Sequence, residues 1–227
     1  TTPGKDATAS YRLEDPVQGE ALIRYRVKYP GGSQLAPSGL ADSIGFHLYW
    51  GTTTTPAVSM MTNTSQQQGH RPGTSASSTK GIYPVKLDQW YTVYIRLDTT
   101  KNAYSVWMDG EKVVTDATFR NNKPSEAIGT IRVAAPNNPV GTIYVDDIGV
   151  IHGPAQKLTA VESIQPISTA FATPFEELAL PERLTVTLEN GKTVELEVDW
   201  DSGSYSPSQE GVQNITGRFR TGGLYDA

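Results

Sequence analysis

The stretch Trp90–Val114, WYTVYIRLDTTKNAYSVWMDGEKVV, sets the fold class. Side chains alternate across a strand with period two. Here Val93, Ile95 and Leu97, then Tyr104, Val106 and Met108, share one face, while Thr92, Tyr94, Arg96, Ser105 and Trp107 fall on the other. Asp109-Gly110 predicts a two-residue hairpin turn, because glycine accepts the positive φ that such a turn needs. The run reads as two strands and the start of a third, with one face for a core. Tyrosine, arginine and tryptophan on the opposite face either decorate a surface or hold a ligand.

Outward from this hairpin the same pattern recurs with almost no helical period. Strands are expected at Ala21–Tyr29, Ser43–Trp50, Ala57–Thr62, Trp90–Leu97, Tyr104–Met108, Lys112–Thr115, Ile131–Ala135 and Ile143–Ile151. So many short strands in one stretch predict an all-β fold, a two-sheet antiparallel sandwich or jelly roll. Between them, Asn63–Lys80 (NTSQQQGHRPGTSASSTK) reads as too polar to pack and is expected to be a loop.

The chain has 227 residues, 37% hydrophobic, with 21 glycines and 15 prolines, a turn-rich composition typical of many-stranded proteins. No run approaches the roughly 20 apolar residues that span a bilayer. Cysteine is absent, so a disulfide framework and a thiolate metal site are both excluded. With neither an initiator methionine nor a signal-peptide pattern, the sequence is expected to be a piece of a longer protein. The net charge of −5 is uneven: residues 1–153 carry 14 Lys and Arg against 13 Asp and Glu, residues 154–227 carry 5 against 11. That shift, beside IHGPAQK, places a domain boundary between 1–153 and 154–227. Neither half is basic enough for a nucleic-acid partner.

The motifs W-x-x-V-x-I-x-x-D, Y-S-V-W-M-D-G and IYVDDIGV resemble the concanavalin A-like jelly roll over most of residues 10–152. That family includes laminin-G-type domains, β-glucanases and many carbohydrate-binding modules. The resemblance to β-glucanases implies that a strand with an E-x-D-x-E pattern should follow the aromatic strand. In its place stands AVSMMTN, residues 57–63, without a carboxylate. Retaining glycosidases need two carboxyl groups about 5 Å apart, so no hydrolytic site is expected.

By the same analogy one concave face would present Arg24, Arg26 and Lys28 with His47, Tyr49, Tyr94, Arg96 and Trp107. Aromatic rings stack on sugar faces, and guanidinium groups bind carboxylates bidentately. Three cations on one strand face point to an acidic polysaccharide. The plainer reading is a solvated strand face. Trp90 is expected in core or strand-end packing and Trp50 in the core, while His70 and Arg71 would overhang the groove from the long loop. The resemblance also implies a structural Ca2+ held by Asp146, Asp147, Glu14 and Asp15. The alternative is that one aspartate caps a bulge.

From Leu158 the features V-E-S-I, L-P-x-x-L-T-V-T-L-E-N-G, V-x-W-D and Y-x-P-S-x-x-G-x-x-x-I-T-G resemble bacterial immunoglobulin-like domains, which usually act as spacers. Asn190-Gly191 predicts a hairpin turn, Trp200 is expected to plug a sandwich core, and Glu176-Glu177 belongs to a turn. Together these resemblances imply a non-catalytic carbohydrate-binding module and a spacer. The expected setting is a secreted, monomeric part of a polysaccharide-degrading enzyme, a glycoside hydrolase or polysaccharide lyase, of a Gram-positive bacterium, covalently linked to its catalytic domain. The partner is an anionic polysaccharide rather than nucleic acid or membrane. A jelly-roll polysaccharide lyase and a laminin-G-like surface adhesin are the alternatives.

Overall fold

The computed structural model describes residues 7–31, 45–51, 56–62, 67–70, 80–120, 126–135 and 142–226. The chain divides into two compact units, Thr1–Pro154 and Ala155–Ala227. No helix among the described residues is long and apolar enough to cross a membrane.

The first unit contains β1 (Ala7–Val17), β2 (Glu20–Lys28), β3 (Gly45–Trp50), β4 (Pro56–Thr62), β5 (Gln67–His70) and β6 (Lys80–Pro84). These are followed by β7 (Trp90–Asp98), β8 (Ala103–Met108), β9 (Glu111–Thr118), β10 (Ile128–Ala135) and β11 (Tyr144–His152). They form two antiparallel sheets: sheet A in the order β1-β10-β3-β4-β5-β6 and sheet B in the order β11-β2-β7-β8-β9. The period-two pattern of the opening stretch is realised, with β7 alternating half-buried and buried along its whole length. Asp109 and Gly110 turn the chain with φ of 47° and 89°, and Asp109 accepts a 2.7 Å bond from the Thr92 amide.

The core lies between the sheets. Phe46, Leu48, Trp50, Val58 and Met60 from sheet A meet Ile23, Tyr25, Val93, Ile95, Tyr104 and Val106 from sheet B. Tyr25 and Phe46 stack at 3.9 Å between centroids, and Trp50 meets the edge of Phe119 at 5.3 Å. Trp50 is therefore the core residue its parity predicts.

The polar run Asn63–Lys80 is not simply a loop, because Gln67–His70 pairs with β4 and β6 as a strand of sheet A. Two of its polar side chains point inward and are satisfied there: Gln68 Oε1 accepts from the Tyr29 hydroxyl at 2.8 Å, and His70 Nδ1 lies 2.9 Å from the Tyr104 hydroxyl. Buried polar groups are tolerated when hydrogen-bonded. A polarity count therefore misread this strand.

The second unit is built on β12 (Gln156–Val161), β13 (Arg183–Leu188), β14 (Thr193–Trp200), β15 (Gly217–Phe219) and β16 (Tyr225–Asp226). They form one sheet, β15-β14-β13-β12-β16, in which β12 and β16 run parallel. Asn190-Gly191 makes the expected turn, with Gly191 at φ 78°. Leu184, Val186, Leu188 and Leu196 are buried. Trp200 is only partly buried; its Nε1 donates to the Pro181 carbonyl at 2.8 Å. Gly217 lies against that indole, where an added Cβ would come within 2.7 Å of Cε3. Glu176 and Glu177 sit in a 3-10 turn after Pro174.

Candidate functional site: the outer face of sheet B

On β2 the core takes Ile23, Tyr25 and Val27, leaving Arg24, Arg26 and Lys28 outside. Register then builds a row across four strands. Arg24 pairs with Tyr94, Tyr94 with Trp107, and Trp107 with Lys112. A second row joins Tyr144, Lys28 and Trp90, and a third Asp146, Arg26 and Thr92. Directly opposed side chains are close enough to interact. The face thus interleaves cations and rings: Arg26 lies 4.8 Å and Lys28 5.4 Å from the Trp90 ring centre, Lys28 also 5.4 Å from that of Tyr144, and Lys112 5.0 Å from that of Trp107. Each such contact is worth about 0.5–1 kcal/mol at an exposed site. They hold flexible cationic chains over flat rings.

Asp147 supplies the local counter-charge. It occupies a bulge in β11 between Asp146 and Gly149, at φ 51°. Its carboxylate reaches Arg24 at 3.8 Å and Arg26 at 3.6 Å. Asp146 in turn accepts the Asp147 amide at 2.8 Å. Arg96, at the far end of the face, donates to the Gly153 carbonyl at 3.1 Å, which ties β7 to the end of β11. Such a face offers oriented positive charge and aromatic surface. Chemically it can bind an anion.

The expectation of a single face including His47 and Tyr49 is corrected by the topology. Both belong to β3 in sheet A and lie on its own outer side, away from the cations of sheet B. Parity gives the face of a strand but not the sheet that receives it. There His47 Nδ1 is 3.2 Å from Ser59 Oγ, and Arg132 of β10 lies 4.5 Å from the Tyr49 ring centre. His70 does not overhang a groove, since it is buried against Tyr104. Arg71 lies outside the described residues. Trp90, half-buried at the first position of β7 under Arg26 and Lys28, takes the strand-end alternative rather than the core, and it shares its parity with Thr92, Tyr94 and Arg96. Lys112, Tyr144 and Arg132 were missed because each is recruited by cross-strand register, which a single strand does not encode.

The four carboxylates proposed for Ca2+ do not converge on one cage. Glu14 and Asp15 lie on β1, where Asp15 is 3.5 Å from His152, while Asp146 and Asp147 serve the β11 bulge. No group of three or more His, Asp or Glu side chains suited to a metal occurs among the described residues. The bulge-capping alternative accounts for Asp146.

Comparison with known proteins bears on the fold of the first unit and on the family of the second. Residues 164–220 match the family model of the bacterial Ig-like domain (group 4). Among solved structures a sialidase is similar at TM-score 0.52 and 9% identity, over 65% of this chain and 14% of that one. A Trypanosoma rangeli sialidase complex has TM-score 0.44 and 14% identity, over 59% and 20% of the two chains. An alginate lyase mutant in complex with alginate trisaccharide has TM-score 0.44 and 10% identity, over 64% and 74%. This chain spans only a small part of the sialidases it resembles. No curated protein sequence matches it. An all-β jelly-roll sandwich, sharing its fold with part of a sialidase, is followed here by a segment that matches the bacterial Ig-like domains.

Proposed function

We propose that the first unit is a non-catalytic carbohydrate-binding module that holds an anionic polysaccharide on the outer face of sheet B, with the second unit as its spacer. The observation that carries this reading is the in-register row Arg24–Tyr94–Trp107–Lys112, flanked by Arg26, Lys28 and Trp90. Cations recognise the charges of such a polymer and rings its sugar faces. The non-catalytic part rests on a second feature. Strands β3, β4, β5, β6 and β10 contain no Asp or Glu, so they offer no carboxylate pair for glycoside hydrolysis. The Ig-like match and the fold shared with a sialidase support a role in a secreted bacterial polysaccharide-degrading protein. Binding would keep a linked catalytic domain at high local concentration on its polymer.

Affinity electrophoresis against carboxylated, sulfated and neutral polysaccharides tests the reading. Retardation by anionic polymers only is expected, with no release of reducing ends or unsaturated uronates. Arg24→Ala with Arg26→Ala should weaken binding roughly tenfold or more, since hydrogen bonds to charged groups are each worth about 1.5–3 kcal/mol. Unchanged binding by that double variant would overturn the site. Turnover that survives repurification would overturn the non-catalytic role in favour of a lyase.

A further inference from the structure

Sheet A has an outer face of its own, which the function above leaves unused. Its inward positions on β10 are Ile131 and Val133, so Thr130 and Arg132 point outward. Cross-strand register sets Arg132 between Ser10 of β1 and His47 of β3, and His47 opposite Ser59 of β4. Arg12 and Thr130 pair on the same side one step along.

Arg132 is held in place more firmly than an ordinary surface arginine. Its guanidinium lies 4.5 Å from the Tyr49 ring centre, its Nε donates to Ser10 Oγ at 3.3 Å, and its Nη1 lies 3.5 Å from the Tyr49 hydroxyl. Tyr49 itself is only 7% exposed and His47 8%. The imidazole meets the edge of Tyr49 at 6.2 Å between centroids, and its Nε2 lies over Gly45, where a Cβ would come within 2.8 Å. A rigid, buried base therefore supports a half-exposed guanidinium.

That guanidinium has no carboxylate partner among the described residues, unlike Arg24 and Arg26 with Asp147 or Arg183 with Glu197. Its bonds to Ser10 and Tyr49 use Nε and one hydrogen of Nη1. The outer edge, both hydrogens of Nη2 and the second of Nη1, remains available. A planar fork presenting two parallel N–H groups matches a carboxylate bidentately. Around it stand the exposed hydroxyl side chains Thr8 and Ser10, groups that can bond sugar hydroxyls.

We propose that the outer face of sheet A carries a second binding site, in which the outer edge of Arg132 takes the carboxylate of a uronate sugar. Occupied together with sheet B, it would let one module grip two chains of an acidic polymer, or two segments of the same chain. Side-chain fixation by Tyr49 and Ser10 means that little rotamer freedom is lost on binding. The site goes beyond the sheet B reading and does not depend on it.

The test uses the full chain carrying Arg24→Ala and Arg26→Ala, titrated with an oligogalacturonate and with its methyl ester by calorimetry or NMR. Residual binding of the acid form is expected, with at least tenfold weaker binding of the ester. Adding Arg132→Met, whose stem still covers Tyr49, should lower acid binding about tenfold or more while the thermal midpoint stays put. Adding Arg132→Lys, which keeps the charge but not the fork, should lose most of it too. The site is overturned if the double variant has no residual binding, if the ester binds as well as the acid, or if Arg132→Lys binds undiminished. Failure of the sheet B reading would show separately, as wild-type affinity in the Arg24→Ala/Arg26→Ala chain before any change at Arg132.

Discussion

The two sheets of the first unit treat their outer faces differently. Strand β7 of sheet B alternates buried and half-buried residues from end to end, while every residue of β3 and β4 in sheet A is buried. A strand covered on one side writes its function on the other in plain alternation. Buried strands must satisfy their polar groups internally, and His47 and Ser59 on β3 and β4, like the inward Gln68 and His70 on β5, do so through specific partners. The difference teaches that the buried polar residues of sheet A are structural commitments, whereas half-exposed ones, on sheet B or at Arg132, can turn toward a ligand.

Tryptophan substitutions give the largest contrast. Trp50→Ala, in the sandwich core, should cost about 3–5 kcal/mol. Trp107→Ala on sheet B should stay within about 1 kcal/mol, being a half-buried surface change. Urea unfolding of both variants checks this, and equal losses would break the comparison.

Hydroxyl deletions sharpen it. Tyr104→Phe deletes the buried hydroxyl that lies 2.9 Å from His70 Nδ1 and should cost about 1–3 kcal/mol. Tyr94→Phe should fall within about 0.5 kcal/mol. A Tyr104→Phe protein as stable as the parent would mean that this hydroxyl does not hold the core.

The turn between β7 and β8 gives a smaller, pH-dependent effect. Burial pushes the Asp98 carboxyl up, but bonds from Thr100 and Lys101, through side chains and backbone amides, outweigh it and hold the pKa at about 2. A lowered folded pKa stabilises fully above the unfolded value near about 4 and is lost as pH falls through the folded one. Wild type should therefore exceed Asp98→Asn in stability at about pH 5, with the gap closing toward about pH 2. A gap that stays constant with pH would assign the effect to packing instead.

Much of this was legible in the sequence. The Trp90–Val114 alternation, Asp109-Gly110 and Asn190-Gly191 turns needed only period and turn chemistry. The outward set Arg24, Arg26, Lys28, Tyr94 and Trp107 also followed from parity. What could not be read was partnership between distant strands. Nothing local in GFHLYW says that β3 inserts between β10 and β4, so His47 and Tyr49 were grouped with the wrong cations. Gln68 and His70 were read as loop because their hydrogen-bond partners, the hydroxyls of Tyr29 and Tyr104, lie 39 and 34 residues away. Arg132 had no signal in its own strand; its meaning comes from Ser10, 122 residues earlier.

Asp147 gives the sheet B face a built-in rival for whatever it binds. An anion bound there as proposed would compete with this tethered carboxylate for Arg24 and Arg26. Because the rival sits at fixed, high effective concentration, a lone dissolved anion should displace it less well than a polymer that brings several charges at once. On this view the bulge tunes selectivity: it makes the face respond to charge density along a chain more than to charge itself. Asp147→Asn should remove the threshold. The altered face would bind sparsely charged polymers nearly as well as dense ones, more tightly and less discerningly than the parent.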